Sequence, residues 1–227
     1  MPDPGAVFAM HDYALRGRGS DCPFVLGPMD DESWTGARWA GFCTAEETGW
    51  TYDGHGWRWE WMEGASTLYH LLGIYEVTTA EGVELLVSGM IDVEREPLED
   101  STRWWALISG TFQSSTADDW TGRTSGVFLE IDHEEADAWD RTTLEGGLGY
   151  DDHHVDLIDV VLDSRECDGN PTGRFGLRAP DSSWYDLQLD ATCDGCGALS
   201  WSGRELARVC PDIAGPIDEL TSELRRL

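Results

Sequence analysis

Three tryptophans at alternate positions, Trp57, Trp59 and Trp61, carry the most obvious chemistry in the 227-residue chain. A strand has a side-chain period of two, so it would throw all three indoles onto one face and Arg58 and Glu60 onto the other. Exposed, such a row is a platform for stacking on sugar rings or for holding an apolar ligand or a protein partner. Buried, it is core, where tryptophan is usually found. Both readings stay open at this point, although the chain holds 12 tryptophans. The neighbouring pair Trp104-Trp105 must point to opposite faces of its strand, which implies a sheet covered on both sides there.

Carboxylates and histidines are the next candidates. Adjacent His153 and His154 point to opposite sides of an extended chain, so they share a metal only if the backbone turns, with Asp151, Asp152 and a distant His55 or His133 completing the set. Calcium suits so many acids better, because a hard ion prefers oxygen ligands held in a loop. Asp163, Glu166, Asp168 and Asn170 are the densest oxygen cluster beside a turn-forming glycine, and Asp118 and Asp119 form another. Neither follows the EF-hand order. Glycoside hydrolysis needs two carboxyl groups at a set separation in space, which a sequence does not reveal, and Glu60 is the first suspect. There is no G-x-S-x-G elbow and no G-x-G-x-x-G fingerprint, since Arg16-Gly17-Arg18-Gly19 lacks the third glycine. No organic cofactor is implied, and calcium is the ion to look for.

Six cysteines, at 22, 43, 167, 193, 196 and 210, sit beside turn formers, as disulfides in an oxidising compartment do. The expected pairing is Cys22 with Cys43, Cys167 with Cys210, and Cys193 with Cys196, the last as a hairpin staple. A zinc site from Cys167, Cys193, Cys196 and Cys210 competes poorly, because zinc ribbons bring two C-x-x-C knuckles and one is present. Residues Met1 to Gly5 lack the basic and apolar regions of a signal peptide, so the chain is either cytosolic or has lost its signal. The cysteines tip the balance toward an extracytoplasmic place: secreted, periplasmic or at the cell surface.

The formal net charge of −29 comes from 44 acids against 15 basic residues, every one of them arginine. Without lysine there is no Walker A loop and no Schiff-base enzyme. Such a surface repels nucleic acid and anionic lipid, whose binding depends on basic residues. No apolar stretch approaches the roughly 20 residues of a transmembrane helix.

Short alternating runs broken by Gly, Asp and Ser mark strands from end to end, at 6–16, 36–43, 56–62, 67–79, 83–95, 102–113, 123–132, 142–149, 154–163, 173–178, 183–191 and 196–202. Ala80-Glu81-Gly82, Asp53-Gly54 and Asp194-Gly195 are expected turns. The fold class is therefore mostly β: one domain over 1–227, a large antiparallel meander forming a curved sheet, barrel or sandwich. A C-terminal helix is expected over 216–227, with Pro216 in its first turn and Ile217, Leu220, Leu224 and Leu227 on one face. A shorter helix or turn is expected at Glu134 to Trp139.

The run from Gly126 to Asp132 (GVFLEID), the acidic insert to Arg141, the Gly146-Gly-Leu-Gly-Tyr150 segment and the strand from Val155 to Asp163 resemble uncharacterised lipoprotein-type β proteins of GC-rich bacteria. The resemblance covers about a third of the chain. It implies export and a β fold, and no activity. Two functions are expected: a noncatalytic extracytoplasmic binding or structural protein built on a tryptophan-rich sheet, whose partner is a protein, a glycan or an apolar ligand, or a secreted metal- or carboxylate-dependent hydrolase acting on extracellular polymer. The first leads because each motif found absent is catalytic.

Overall fold

The computed structural model describes residues 25–28, 34–44, 49–80, 82, 84–115, 124–150, 153–189 and 192–211, and beyond them 213, 215, 217, 218, 221, 222 and 225. Over these residues the chain forms one open antiparallel sheet of 13 strands, each bonded to the next in chain order. They are β1 (Val25–Pro28), β2 (Trp34–Thr44), β3 (Thr51–Glu63), β4 (Ser66–Thr78), β5 (Glu84–Pro97), β6 (Thr102–Ser115), β7 (Thr124–Ala136), β8 (Trp139–Tyr150), β9 (His153–Asp163), β10 (Thr172–Arg178), β11 (Trp184–Leu189), β12 (Gly197–Trp201) and β13 (Arg204–Val209). Along this sheet the chain groups into two compact units. One comprises Met1–Glu94 with Ile108–Gly126, the other Arg95–Leu107 with Val127–Leu227.

Tight turns enforce this order. β3 and β4 meet across a two-residue loop with Gly64 at φ +64° and Glu63 opposite Ser66. β12 and β13 meet across Ser202-Gly203, both with positive φ, the conformation that matches the strand twist in a two-residue hairpin. That pair was the signal for β13, which the sequence reading lacks because Arg204-Glu205-Leu206-Ala207 is rich in helix formers. Asp53-Gly54, read as a turn, lies inside β3, where Asp53 faces Glu76. Asp194-Gly195 does turn the chain, with Gly195 at φ +69°.

Alternation sorts side chains onto two faces. In the first unit Leu71 and Val77 of β4 are each 1% exposed, and Ile91 and Val93 of β5 are buried with them. In the second unit Trp104 and Ala106 of β6, Leu129 and Ile131 of β7, Leu144 of β8 and Val160 of β9 make the apolar face. Burying each large aliphatic side chain contributes about 1.5–3 kcal/mol. Trp105, on the other face, is half-buried and gives its indole N–H to Glu130 at 2.8 Å, so the expectation of apolar cover on both sides becomes a polar outer face.

A bulge in β9 interrupts the alternation. On β8 the register steps from Leu144↔Val160 to Gly146↔Leu157, and on β10 from Thr172↔Val161 to Arg174↔Ile158, so β9 carries one extra residue against both neighbours. Asp159, at φ +49°, is in that bulge. Gly146 and Gly173 flank it with φ of +138° and +111°, and a Cβ on them would lie 2.0 Å from Phe128 O and 2.3 Å from Asp159 O. Asp159 in turn hydrogen-bonds Glu145, which raises that carboxyl above its ordinary range.

The disulfides correct the expected pairing. Cys167 joins Cys193, and Cys196 joins Cys210. The pairing follows from register, because Gly197 opposite Val209 sets Cys196 across from Cys210. Cys193 meets Cys167 at the 3-10 turn Cys167–Gly169, where Asn170 Nδ2 donates to Cys193 O at 2.9 Å. Cys193 and Cys196 are held apart by Asp194, whose carboxylate accepts from Cys196 N at 3.0 Å and from Arg208 at 2.7 Å. The Cys22–Cys43 pairing and the strand read at 6–16 lie outside the described residues.

Of the helix or turn expected at Glu134 to Trp139 the structure has the turn: β7 runs to Ala136, Asp137 and Ala138 turn the chain, and β8 begins at Trp139. The helix read at 216–227 lies partly outside the described residues; within them Ile217 N donates to Ile213 O at 3.2 Å and Arg225 N to Thr221 O at 3.0 Å. Among the described residues no helix is long and apolar enough to cross a membrane.

Two outcomes test this architecture. Gly146→Ala should lose about 1–3 kcal/mol of stability through a strained backbone beside the bulge. A urea midpoint equal to that of the parent would count against it. Non-reducing proteolysis followed by mass spectrometry should recover peptides linked Cys167–Cys193 and Cys196–Cys210, and a Cys193–Cys196 loop peptide would reject the assigned register.

Candidate functional site: an aromatic shelf on the outer face

The register of β3 against β4 decides where the tryptophans stand. Arg58 pairs with buried Leu71 and Tyr52 with buried Val77, so the even positions of β3 share the apolar side. Trp57, Trp59 and Trp61 pair with Leu72, His70 and Leu68, on the opposite side. Ile74, also on that side, is 43% exposed, and all three indoles are half-buried. The row is therefore an outer shelf. Glu60, the suspected catalytic acid, stands on the other face with Arg58, pointing away from it.

Polar groups are built into the shelf. The His55 ring meets Trp57 edge-on at 5.3 Å between centroids, and the Arg38 guanidinium of β2, directly opposite Trp57, lies 5.9 Å from the indole centroid. His70 packs at 5.0 Å from Trp59, tilted by 40°. Its Nδ1 is hydrogen-bonded to Asp92 of β5. Asp53 and Glu76, paired across β3 and β4 and both exposed, extend the same face. Such a surface offers stacking faces, hydrogen-bond acceptors and carboxylates, and among the described residues no enclosing wall stands around them.

The second unit holds two further clusters. On its outer face a groove of about 260 Å³ is lined by Leu98, Arg103, Asp132, Glu134, Arg141 and Thr143. Its polar groups are largely committed to each other: Arg103 binds both oxygens of Asp132 at 2.8 and 2.5 Å, and Ser101 donates to Glu134 at 2.6 Å. On the apolar face His133 is 0% exposed and packs against Trp104 at 5.6 Å. Its Nε2 lies 3.3 Å from Arg225 Nη2, and its Nδ1 lies 2.9 Å from Thr142 Oγ1. A guanidinium can only donate, so Nε2 accepts and Nδ1–H donates to the threonine, the neutral tautomer. Arg225 also binds Glu135 at 2.6 Å. The buried indole Nε1 of Trp104 has no hydrogen-bond partner among the described residues.

The expected metal ligands do not converge. Asp163 is buried and gripped by Arg165 through Nε at 3.1 Å and Nη2 at 2.8 Å, which holds its carboxyl below the usual range. Asn170 turns its amide to Cys193 O, and Asp168 and Glu166 are exposed beside the 3-10 turn. His154 is bonded to Asp156 at 2.7 Å and meets Trp184 edge-on, while His153 continues the strand and alternates with it. Asp151, Asp152, Asp118, Asp119 and Arg16-Gly17-Arg18-Gly19 lie outside the described residues. Among the described residues no group of three His, Cys, Asp or Glu side chains is placed to hold an ion. The partners the sequence reading lacks are His70 and Asp92, 22 positions apart. Asp92 stands between Ile91 and Val93, and His70 between Tyr69 and Leu71, each a charged or titratable residue among bulkier neighbours.

Comparison of the chain with protein-family models, with curated proteins and with solved structures gives no match. The reading of the site therefore rests on its geometry.

Burial, followed by the nearby Arg225 cation, pushes the His133 pKa below its ordinary 6.5, against the pull of Glu135 and Asp140. An unfolded histidine takes up a proton below about 6.5 while the folded one resists. Stability from neutral His133 is thus complete above that pH and is lost as pH falls toward the lowered folded value. Thermal or urea unfolding between pH 7.5 and 5.5 should show parent stability falling by up to about 1.4 kcal/mol per pH unit more than in His133→Gln. Parallel curves for the two proteins would show that His133 does not supply this slope.

Proposed function

We propose that this chain is a noncatalytic extracytoplasmic binding protein and that the shelf of Trp57, Trp59 and Trp61 takes a glycan. The observation that carries the reading is the register that places these indoles on the face opposite Leu71 and Val77. A core would have hidden them. Sugar rings present C–H groups to an aromatic face and hydroxyls to neighbouring acceptors, and Asp53, His55, His70 and Asp92 supply polar groups beside the indoles. An open shelf fits an extended polymer better than an apolar ligand, which prefers enclosure on most of its surface.

Export is supported by two disulfides among the described residues, which persist in oxidising compartments, and by the expected likeness to lipoprotein-type β proteins. The hydrolase reading stands lower, because Glu60 is on the far side of the strand from the indoles. Affinity electrophoresis against a panel of soluble polysaccharides tests the proposal. Trp59→Ala, with its fold checked by thermal melting, should weaken binding at least about tenfold, or ~1.4 kcal/mol. Retarded migration that is identical for the parent and for Trp57→Ala, Trp59→Ala and Trp61→Ala would reject it.

A further inference from the structure

We infer that the glycan on this shelf carries amino groups, as a glucosamine polymer does, an inference that rests on the shelf being a glycan site. The protein's own side chains show what its indole faces attract. Trp57 already has the Arg38 guanidinium above its ring, and Trp59 has the His70 imidazole beside it. The negative face of an indole favours a cation, most strongly where water is partly excluded. A ligand ammonium can take the place that Arg38 holds, releasing a flexible exposed side chain.

Carboxylates supply the counter-charge. Asp92 uses Oδ1 toward His70 and retains Oδ2 as an acceptor, and its side chain is 30% exposed. Asp53 and Glu76 face each other across β3 and β4 on the same side, and Glu94, two residues beyond Asp92, alternates onto it. Against them stand Arg38 and two histidines, His55 and His70. The balance is negative, and a chain of net charge −29 surrounds the site with a field that gathers cations and repels polyanions. Uronic acid polymers and phosphate-rich glycans are therefore disfavoured. The spacing of three indoles at alternate strand positions suits consecutive rings of one extended chain.

Titration calorimetry with the glucosamine hexamer, its fully N-acetylated counterpart and a polygalacturonate fragment, below neutral pH where the amines are charged, tests this. The amine form should bind the intact chain at least about tenfold more tightly than the acetylated form at low salt, and the difference should collapse at high salt. Polygalacturonate should not bind. Asp92→Asn should weaken the amine form more than the acetylated form and so narrow the preference, whereas Trp59→Ala and the milder Trp59→Phe should weaken both ligands in graded order. Equal binding of the two hexamers overturns the amine inference and leaves the glycan reading in place. Amine-hexamer binding that survives undiminished in Trp59→Ala also overturns it, because the acidic surface as a whole would then be the binder. Failure of all three ligands overturns both readings.

Discussion

Everything in this protein depends on the two-residue period of a strand paired with its sequence neighbour. When each of 13 strands is hydrogen-bonded to the next, one register decides the face of every side chain along it. A slip of one residue between β3 and β4, with Leu71 and Val77 kept on the apolar side, would set odd positions of β3 opposite them. It would carry the three indoles into the core. The register is held because Leu71 and Val77 lose most by being turned to water, and the Gly64-Ala65 turn allows one hairpin geometry.

Where the alternation is broken, backbone chemistry marks the place. The extra residue of β9 is absorbed by Asp159 at positive φ and accommodated on either side by Gly146 and Gly173, which have no Cβ to collide with a carbonyl. At the far end of the sheet β12 and β13 supply little apolar burial, and two disulfides hold the 3-10 turn and β13 to the loop between β11 and β12. The cross-links do there what Leu144, Val160 and Ile131 do in the longer strands.

The polar face shows how a chain with so few cations uses them. Arg103 binds Asp132, Arg174 binds Asp186, Arg208 binds Asp194 and Arg165 binds Asp163. The first three are exposed pairs, which contribute about 0–1 kcal/mol each, so their main effect is to place charge rather than to hold the fold. The groove beside β6 to β8 is largely neutralised within itself. Around the indoles the acids outnumber the cations, as they do over the chain as a whole.

Composition and local pattern determined the strand class, the order of hairpins, the opposite directions of Trp104 and Trp105 and the common face of Trp57, Trp59 and Trp61. All of these follow from periods and turn residues within a few positions of one another. The sequence could not say which face that was, because both faces of β3 are mixed: Arg58 and Glu60 on one side look polar, and three indoles on the other look apolar. Pairing with β4 reversed that impression, since Leu71 and Val77 drew the arginine side inward. The cysteine partners were undetermined for the same reason, as Cys196 faces Cys210 through a register set by Gly197 and Val209. His70 joined Asp92, and His133 joined Arg225, across 22 and 92 positions. Contacts of that span arise from strands closing in three dimensions, and the tertiary structure alone decided them.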